Sequence, residues 1–156
     1  MLGFLTDLQV KNILSSQLIG RLGCTDGTSP YIVPLTYTYD GDYIYGQTVE
    51  GTKLDILRKN PQVCFEVDLI LDMKNWQCVI LTGIFEELTG PMADEARAIL
   101  FNRVYTLSAS STIHLHEHEN PSVLNDKSRF KPIMYRIKIT NMSGRFENQM
   151  QEEFTI

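Results

Sequence analysis

Two Asp-Gly pairs, Asp26-Gly27 and Asp40-Gly41, each separate runs in which apolar residues alternate, and this constrains the fold more than any other feature of the chain. Successive side chains of an extended strand point to opposite sides, so Tyr31, Val33, Leu35, Tyr37 and Tyr39 share one face. Glycine after aspartate supplies the positive backbone angles of a tight hairpin turn. Residues 19–25, 31–39 and 43–47 are therefore expected as an antiparallel meander, the beginning of a barrel or sandwich rather than of a parallel sheet.

The rest of the chain fits the same class. Thr6 and Gln9 form a capping box ahead of Val10, Ile13, Leu14 and Leu18, which predicts an amphipathic helix over residues 7–17. A second, short helix follows Gly51 and must stop before Pro61, whose ring excludes the helical conformation at Asn60. Val63, Phe65 and Val67 alternate as a further strand, and a long one is expected from about Cys78 to Leu88. Thr89-Gly90-Pro91 opens a third helix, with Met92, Ala96, Ile99, Leu100 and Val104 repeating on one face. Residues 108–131 are polar and long for a connection, hence a candidate functional loop, and Ile133, Tyr135, Ile137 and Ile139 make the last strand. The expected fold is mainly β, an antiparallel Greek-key β-barrel with peripheral helices, built as a single domain over residues 1–156.

Charge and cysteines narrow the function. Nineteen acidic against fourteen basic residues give a net charge of −5 with no dense Lys/Arg run, which argues against a nucleic-acid partner and toward a small molecule. Cys24, Cys64 and Cys78 lack Cys-x-x-Cys spacing and read as buried thiols of a cytoplasmic protein. The N-terminus lacks the pattern of a signal peptide, and no stretch has the length of a membrane span, so no membrane partner is expected. No nucleophile elbow, Walker sequence or dinucleotide fingerprint is present, and Glu86 and Glu87, adjacent on a strand, point to opposite faces.

One segment has the chemistry of an anion site. Thr48, Gly51, Thr52 and Lys53 bring two hydroxyls, a glycine and an ammonium to the start of a helix, whose free N–H groups favour negative charge. Thr52 serves equally well as a helix cap. Pro34 lacks an N–H, so its strand must have an edge, a bulge or a ligand at that point.

In order and spacing, Pro34 to Tyr37, Gly51-Thr52-Lys53 and Asn60 to Val63 resemble the FMN-binding split barrels related to pyridoxamine 5′-phosphate oxidase, most closely their nitroimidazole-resistance branch. Arg21-Leu22-Gly23, Trp76 and a last strand that closes on Ser143-Gly144-Arg145 extend the resemblance over most of the chain. It implies an FMN-dependent oxidoreductase, a homodimer with the flavin at the subunit interface, passing electrons between a reduced carrier such as NAD(P)H and a small organic, nitroaromatic or pyridoxamine-like substrate. It also implies that Lys53, Thr48 and Thr52, with Gly51, hold the cofactor phosphate. Pro34, Leu35 and Thr36 would then run along the flavin ring, with Gly46 and Gln47 beside it and Gly46 small because the ring approaches. Trp76 and Gln77 would line the ring pocket. The family's second phosphate cation is missing from the strand that here reads Tyr31-Ile32-Val33-Pro34, and Arg21 is the residue that could replace it. The family's C-terminal substrate-phosphate segment is replaced by Met142-Ser143-Gly144-Arg145-Phe146, which disfavours pyridoxamine-phosphate oxidation itself. The alternative is a flavin- or haem-binding storage or sensor protein without turnover. His114, His116 and His118 would share a side if extended; a solvated loop, a metal site and a substrate-contacting flap are the readings they allow, and no metal is assigned.

Overall fold

The computed structural model describes residues 1–108 and 132–149. Its elements run in the order β1 (Leu2–Phe4), α1 (Asp7–Ser16), β2 (Ile19–Thr25), β3 (Pro30–Tyr39), β4 (Tyr43–Thr48), α2 (Thr52–Lys59), β5 (Gln62–Asp72), β6 (Asn75–Glu87), α3 (Gly90–Ser108) and β7 (Ile133–Glu147). Both Asp-Gly turns form as the sequence predicts. Gly27 and Gly41 have φ of 95° and 109°. The Asp26 carboxylate accepts the N–H groups of Thr28 and Ser29, and that of Asp40 accepts those of Asp42 and Tyr43. The Thr6–Gln9 capping box opens α1.

All strand pairs are antiparallel, in the order β1-β7-β4-β3-β2-β5-β6, and β6 also pairs with β7 so that the sheet closes on itself. After α2 the chain returns to lay β5 beside β2, giving the Greek-key order β5-β2-β3-β4. The barrel bends where β6 meets β7. Thr140 is the extra residue of a bulge opposite Thr82 and Gly83, and its hydroxyl donates to the Thr82 carbonyl at 3.0 Å. A Cβ on Gly83 would lie 2.5 Å from Ile137 Cγ2 and 2.6 Å from the Lys138 carbonyl oxygen, so this corner requires glycine.

Leu22, Tyr37, Ile44, Leu54, Leu57, Phe65, Val67, Val79, Leu81 and Ile137 fill the barrel. The Tyr37 ring meets Phe65 edge-on at 5.2 Å, and its hydroxyl donates to the Leu14 carbonyl at 2.8 Å, fastening α1 to the wall. A smaller cluster of Tyr45, Leu88, Ala96, Leu100 and Met134 packs α3 on the outside. Among the described residues no helix is long and apolar enough to cross a membrane.

Two expectations need correction, and one strand went unforeseen. β1 has no alternation to announce it and exists because it adds to the end of β7. The last strand passes Ile139 through a bulge at Thr140 and runs over Ser143-Gly144-Arg145 to Glu147, as the resemblance implies. Trp76 lies within β6 rather than before it. Cys24 is buried, but Cys64 is exposed and Cys78 half-buried, since both lie on the outer face of the sheet. The polar segment and its His114, His116 and His118 lie outside the described residues.

Candidate functional site

The barrel is split between β3 and β4. Their ladder holds only Tyr37↔Gly46, Thr38↔Tyr45 and Tyr39↔Ile44, after which the strands diverge. The Tyr37 N–H donates to the Leu18 carbonyl, ahead of β2, and the Asp40 N–H donates to the Tyr43 carbonyl, next to Gly41. By alternation, even-numbered residues of β3 aim their backbone groups at the β4 side. Thr36, Pro34 and Ile32 therefore face the split, and the proline nitrogen falls where no ladder donor is needed. Leu35 turns its side chain onto the core.

Residues 49–51 connect the end of β4 to α2, which opens with Thr52 and Lys53. Gly51 has φ 156° and ψ −176°, a conformation open essentially to glycine alone, and nothing lies within 4 Å of where its Cβ would stand. No side chain caps the helix, and its first backbone bond runs from the Asp55 N–H to the Gly51 carbonyl. The amides of Thr52, Lys53 and Leu54 thus have no acceptor within the helix. Lys53 is half-buried and has no carboxylate partner among the described residues. Burial pulls its pKa below the ordinary lysine value. The buried Cys24 thiol is pushed up by desolvation and pulled back by the Lys53 charge, which places the ammonium beside the end of β2, where Cys24 pairs with Tyr31. The turn crosses the split and carries an uncompensated cation to its far side.

The other sequence-selected residues divide. Thr52 is exposed at the turn, whereas Thr48 is buried and its hydroxyl donates to the Val49 carbonyl. Gln47 is exposed on β4. Gly46 faces inward, and its missing Cβ has a local cause: it would stand 2.3 Å from the Tyr135 hydroxyl oxygen. Arg21 does not join Lys53. Its guanidinium lies on the outer face, bonded to Glu66 at 2.9 Å and to Asp68 at 2.8 Å. Trp76 and Gln77 line a separate groove of about 370 Å³ at the far end of the β5–β6 hairpin, where the indole N–H donates to Glu147 at 3.1 Å. Cys64 pairs with Gly23 and Ile70 with Trp76, so six residues of β5, about 20 Å of strand, separate the two groups within one protomer.

Sequence reasoning missed Arg58. From α2 it donates to both oxygens of Glu50 at 2.9 and 3.0 Å and to both of Glu87 at 2.9 Å. Nothing in the order of residues announces pairs formed between a turn, a helix and the end of a distant strand.

The family model of pyridoxamine 5′-phosphate oxidase matches residues 6–146. An uncharacterised protein of Rhizobium meliloti is 31% identical over 80 residues, which are 51% of this chain and 53% of that protein, so the match spans about half of the curated relative. Among solved structures, a FAD-binding protein from Mesorhizobium loti superposes with a TM-score of 0.70 at 24% identity, covering 95% of this chain and 99% of that one. A candidate 5-nitroimidazole antibiotic resistance protein from Bacteroides thetaiotaomicron gives 0.67 at 18% identity, covering 94% and 87%. A flavocytochrome from Azotobacter vinelandii gives 0.65 at 17% identity, covering 95% and 71%. At these identities the structural likenesses establish the fold, and the family match runs from the cap of α1 to the end of β7: the chain is a split barrel and belongs to the pyridoxamine 5′-phosphate oxidase family.

Proposed function

We propose that this protein binds FMN in the split between β3 and β4 and works as an oxidoreductase, moving electrons from a reduced carrier such as NAD(P)H to a small organic acceptor. The observation that carries the reading is the half-buried Lys53 ammonium, without a carboxylate partner among the described residues, at the uncapped start of α2. A phosphate there meets a point charge, the free amides of the first helical turn and the exposed Thr52 hydroxyl. One ammonium and one helix start suit a single phosphate, which favours FMN over FAD.

The unpaired edge of β3 offers the Thr36 N–H and the Pro34 carbonyl to the hydrogen-bonding rim of a flavin. Such fixed backbone dipoles also stabilise negative charge that develops on a ring held beside them. Bound FMN supplies the redox chemistry, and the chain binds, orients and shields it. Nitro-compound reduction is the substrate class favoured by the resemblance to the nitroimidazole-resistance branch. The groups around Lys53 and Trp76, too far apart to meet in one protomer, support a homodimer in which each flavin lies between Lys53 of one chain and the partner's Trp76. Three free thiols support a reducing, cytoplasmic setting.

The test is the visible spectrum of the freshly purified protein, with mass spectrometry of what acid releases and titration of the stripped protein with FMN. Flavin absorption bands and the mass of FMN are the expected result. A colourless protein that takes up no added FMN would overturn the reading; the mass of FAD would replace the cofactor.

A further inference from the structure

Arg58 makes four hydrogen bonds to two carboxylates from separate segments, and neither the core nor the proposed cofactor contacts account for them. Its Nε and one terminal nitrogen bind Glu87, the last residue of β6, and its two terminal nitrogens bind Glu50. Two forked pairs on one guanidinium fix both carboxylates in its plane. The side chains are substantially exposed, 41% for Arg58 and 60% for Glu50, so solvent and salt screen the pairs and limit what they add to stability. Their position matters more than their energy. Glu50 stands in the same turn as Gly51, Thr52 and Lys53, so a free carboxylate there would repel the anion that the turn is arranged to attract.

We propose that Arg58 is a positioning residue of the anion site: it ties Glu50 to Glu87 at the barrel wall and offsets one of their two negative charges, so that Glu50 opposes a phosphate at Lys53 less than a free carboxylate would. The proposal rests on the reading of this turn as a flavin-phosphate site.

The experiment titrates stripped protein with FMN and with riboflavin, which has the same ring but no phosphate, at low and high salt. The variants are Arg58→Met, Glu50→Gln and the two together, with the thermal midpoint of each recorded. Arg58→Met is expected to weaken FMN about tenfold at low salt, less at high salt, and to leave riboflavin unchanged. Adding Glu50→Gln should restore most of the loss, and Glu50→Gln alone should bind FMN at least as tightly as the wild type. Arg58→Met binding FMN normally, or a double variant as weak as Arg58→Met, would overturn the role of Arg58 while leaving the phosphate site in place. Glu50→Gln alone weakening FMN tenfold would overturn it equally, even if Arg58→Met failed to fold. A wild type that prefers riboflavin or binds neither would overturn the phosphate reading and the proposal together.

Discussion

Lys53 is held at a cost that a ligand can repay. Burial disfavours its charged form, so its pKa in the free protein lies below 10.5, and a bound phosphate would raise it again. Binding then takes up a proton wherever free Lys53 is neutral. FMN affinity is expected to stay flat at lower pH and to fall as pH rises through the depressed pKa, because ammonium is the form that binds. Lys53→Met should weaken FMN by about 10- to 100-fold, the range of a charge-assisted hydrogen bond, and should remove that alkaline decline. Fluorescence titration of FMN across alkaline pH measures both, and a decline that survives in Lys53→Met would show that another group holds the phosphate. Gly46 belongs to the same scale with the opposite lesson. Its Cβ would meet the Tyr135 hydroxyl oxygen at 2.3 Å and the carbon bearing it at 2.4 Å, and Tyr135 is fully buried. Gly46→Ala should therefore cost about 1–3 kcal/mol, several degrees of melting temperature. The Tyr135 hydroxyl is itself buried with no hydrogen-bond partner among the described residues, and burial pushes its pKa up. Tyr135→Phe should leave the melting temperature unchanged or higher, and a fall of more than about 1 kcal/mol would reveal an unseen partner for that hydroxyl.

At the scale of elements, what was legible in the sequence is what local physics decides. Asp-Gly turns, the Thr6–Gln9 cap and the stop at Pro61 depend on a few neighbouring residues, and the strands and helices they bound formed within a few positions. The Lys53 turn was legible for the same reason, since glycine, hydroxyl, ammonium and helix start are consecutive. Elements that depend on distant partners were not. β1 is three residues long and is held by β7, and the bulge that lets β7 pass through Thr140 is visible only once β6 lies opposite. The partners of charged groups belong to the same class. Arg21 is offered equally well to an anion or to Glu66 and Asp68 by its sequence, and the β2–β5 register decides the matter by placing Arg21 opposite Glu66. Pro34 shows the two scales agreeing: its missing donor predicts an interrupted ladder, and the β3–β4 ladder ends before reaching it.

At the scale of the whole molecule, the residues proposed to hold a flavin fall into two groups. The Lys53 turn and the unpaired β3 edge lie at one end of the sheet, and Trp76 and Gln77 line a groove about 20 Å of strand away. At the Lys53 end, the outer face of β2, β5 and β6 carries a groove of about 730 Å³ with Ile32 and Ile84 among its walls, and Ile80 is exposed on the same face. If a two-fold axis brings the Lys53 group of one chain to the Trp76 group of the other, the reverse contact forms as well, because an isologous contact pairs every residue with its counterpart reciprocally. This arrangement makes a prediction that affinity measurements on single variants do not. Lys53→Met and Trp76→Ala homodimers should each bind FMN weakly at both sites. A purified heterodimer of the two variants would contain one site with both changes and one with neither. It should therefore bind a single FMN with wild-type affinity, read by titration of differently tagged, co-purified chains. If Lys53 and Trp76 served the same flavin from within one protomer, every site of the heterodimer would carry one change, and no tight binding would appear. That outcome would dismantle the intersubunit site while leaving the split barrel and the Lys53 turn as they are.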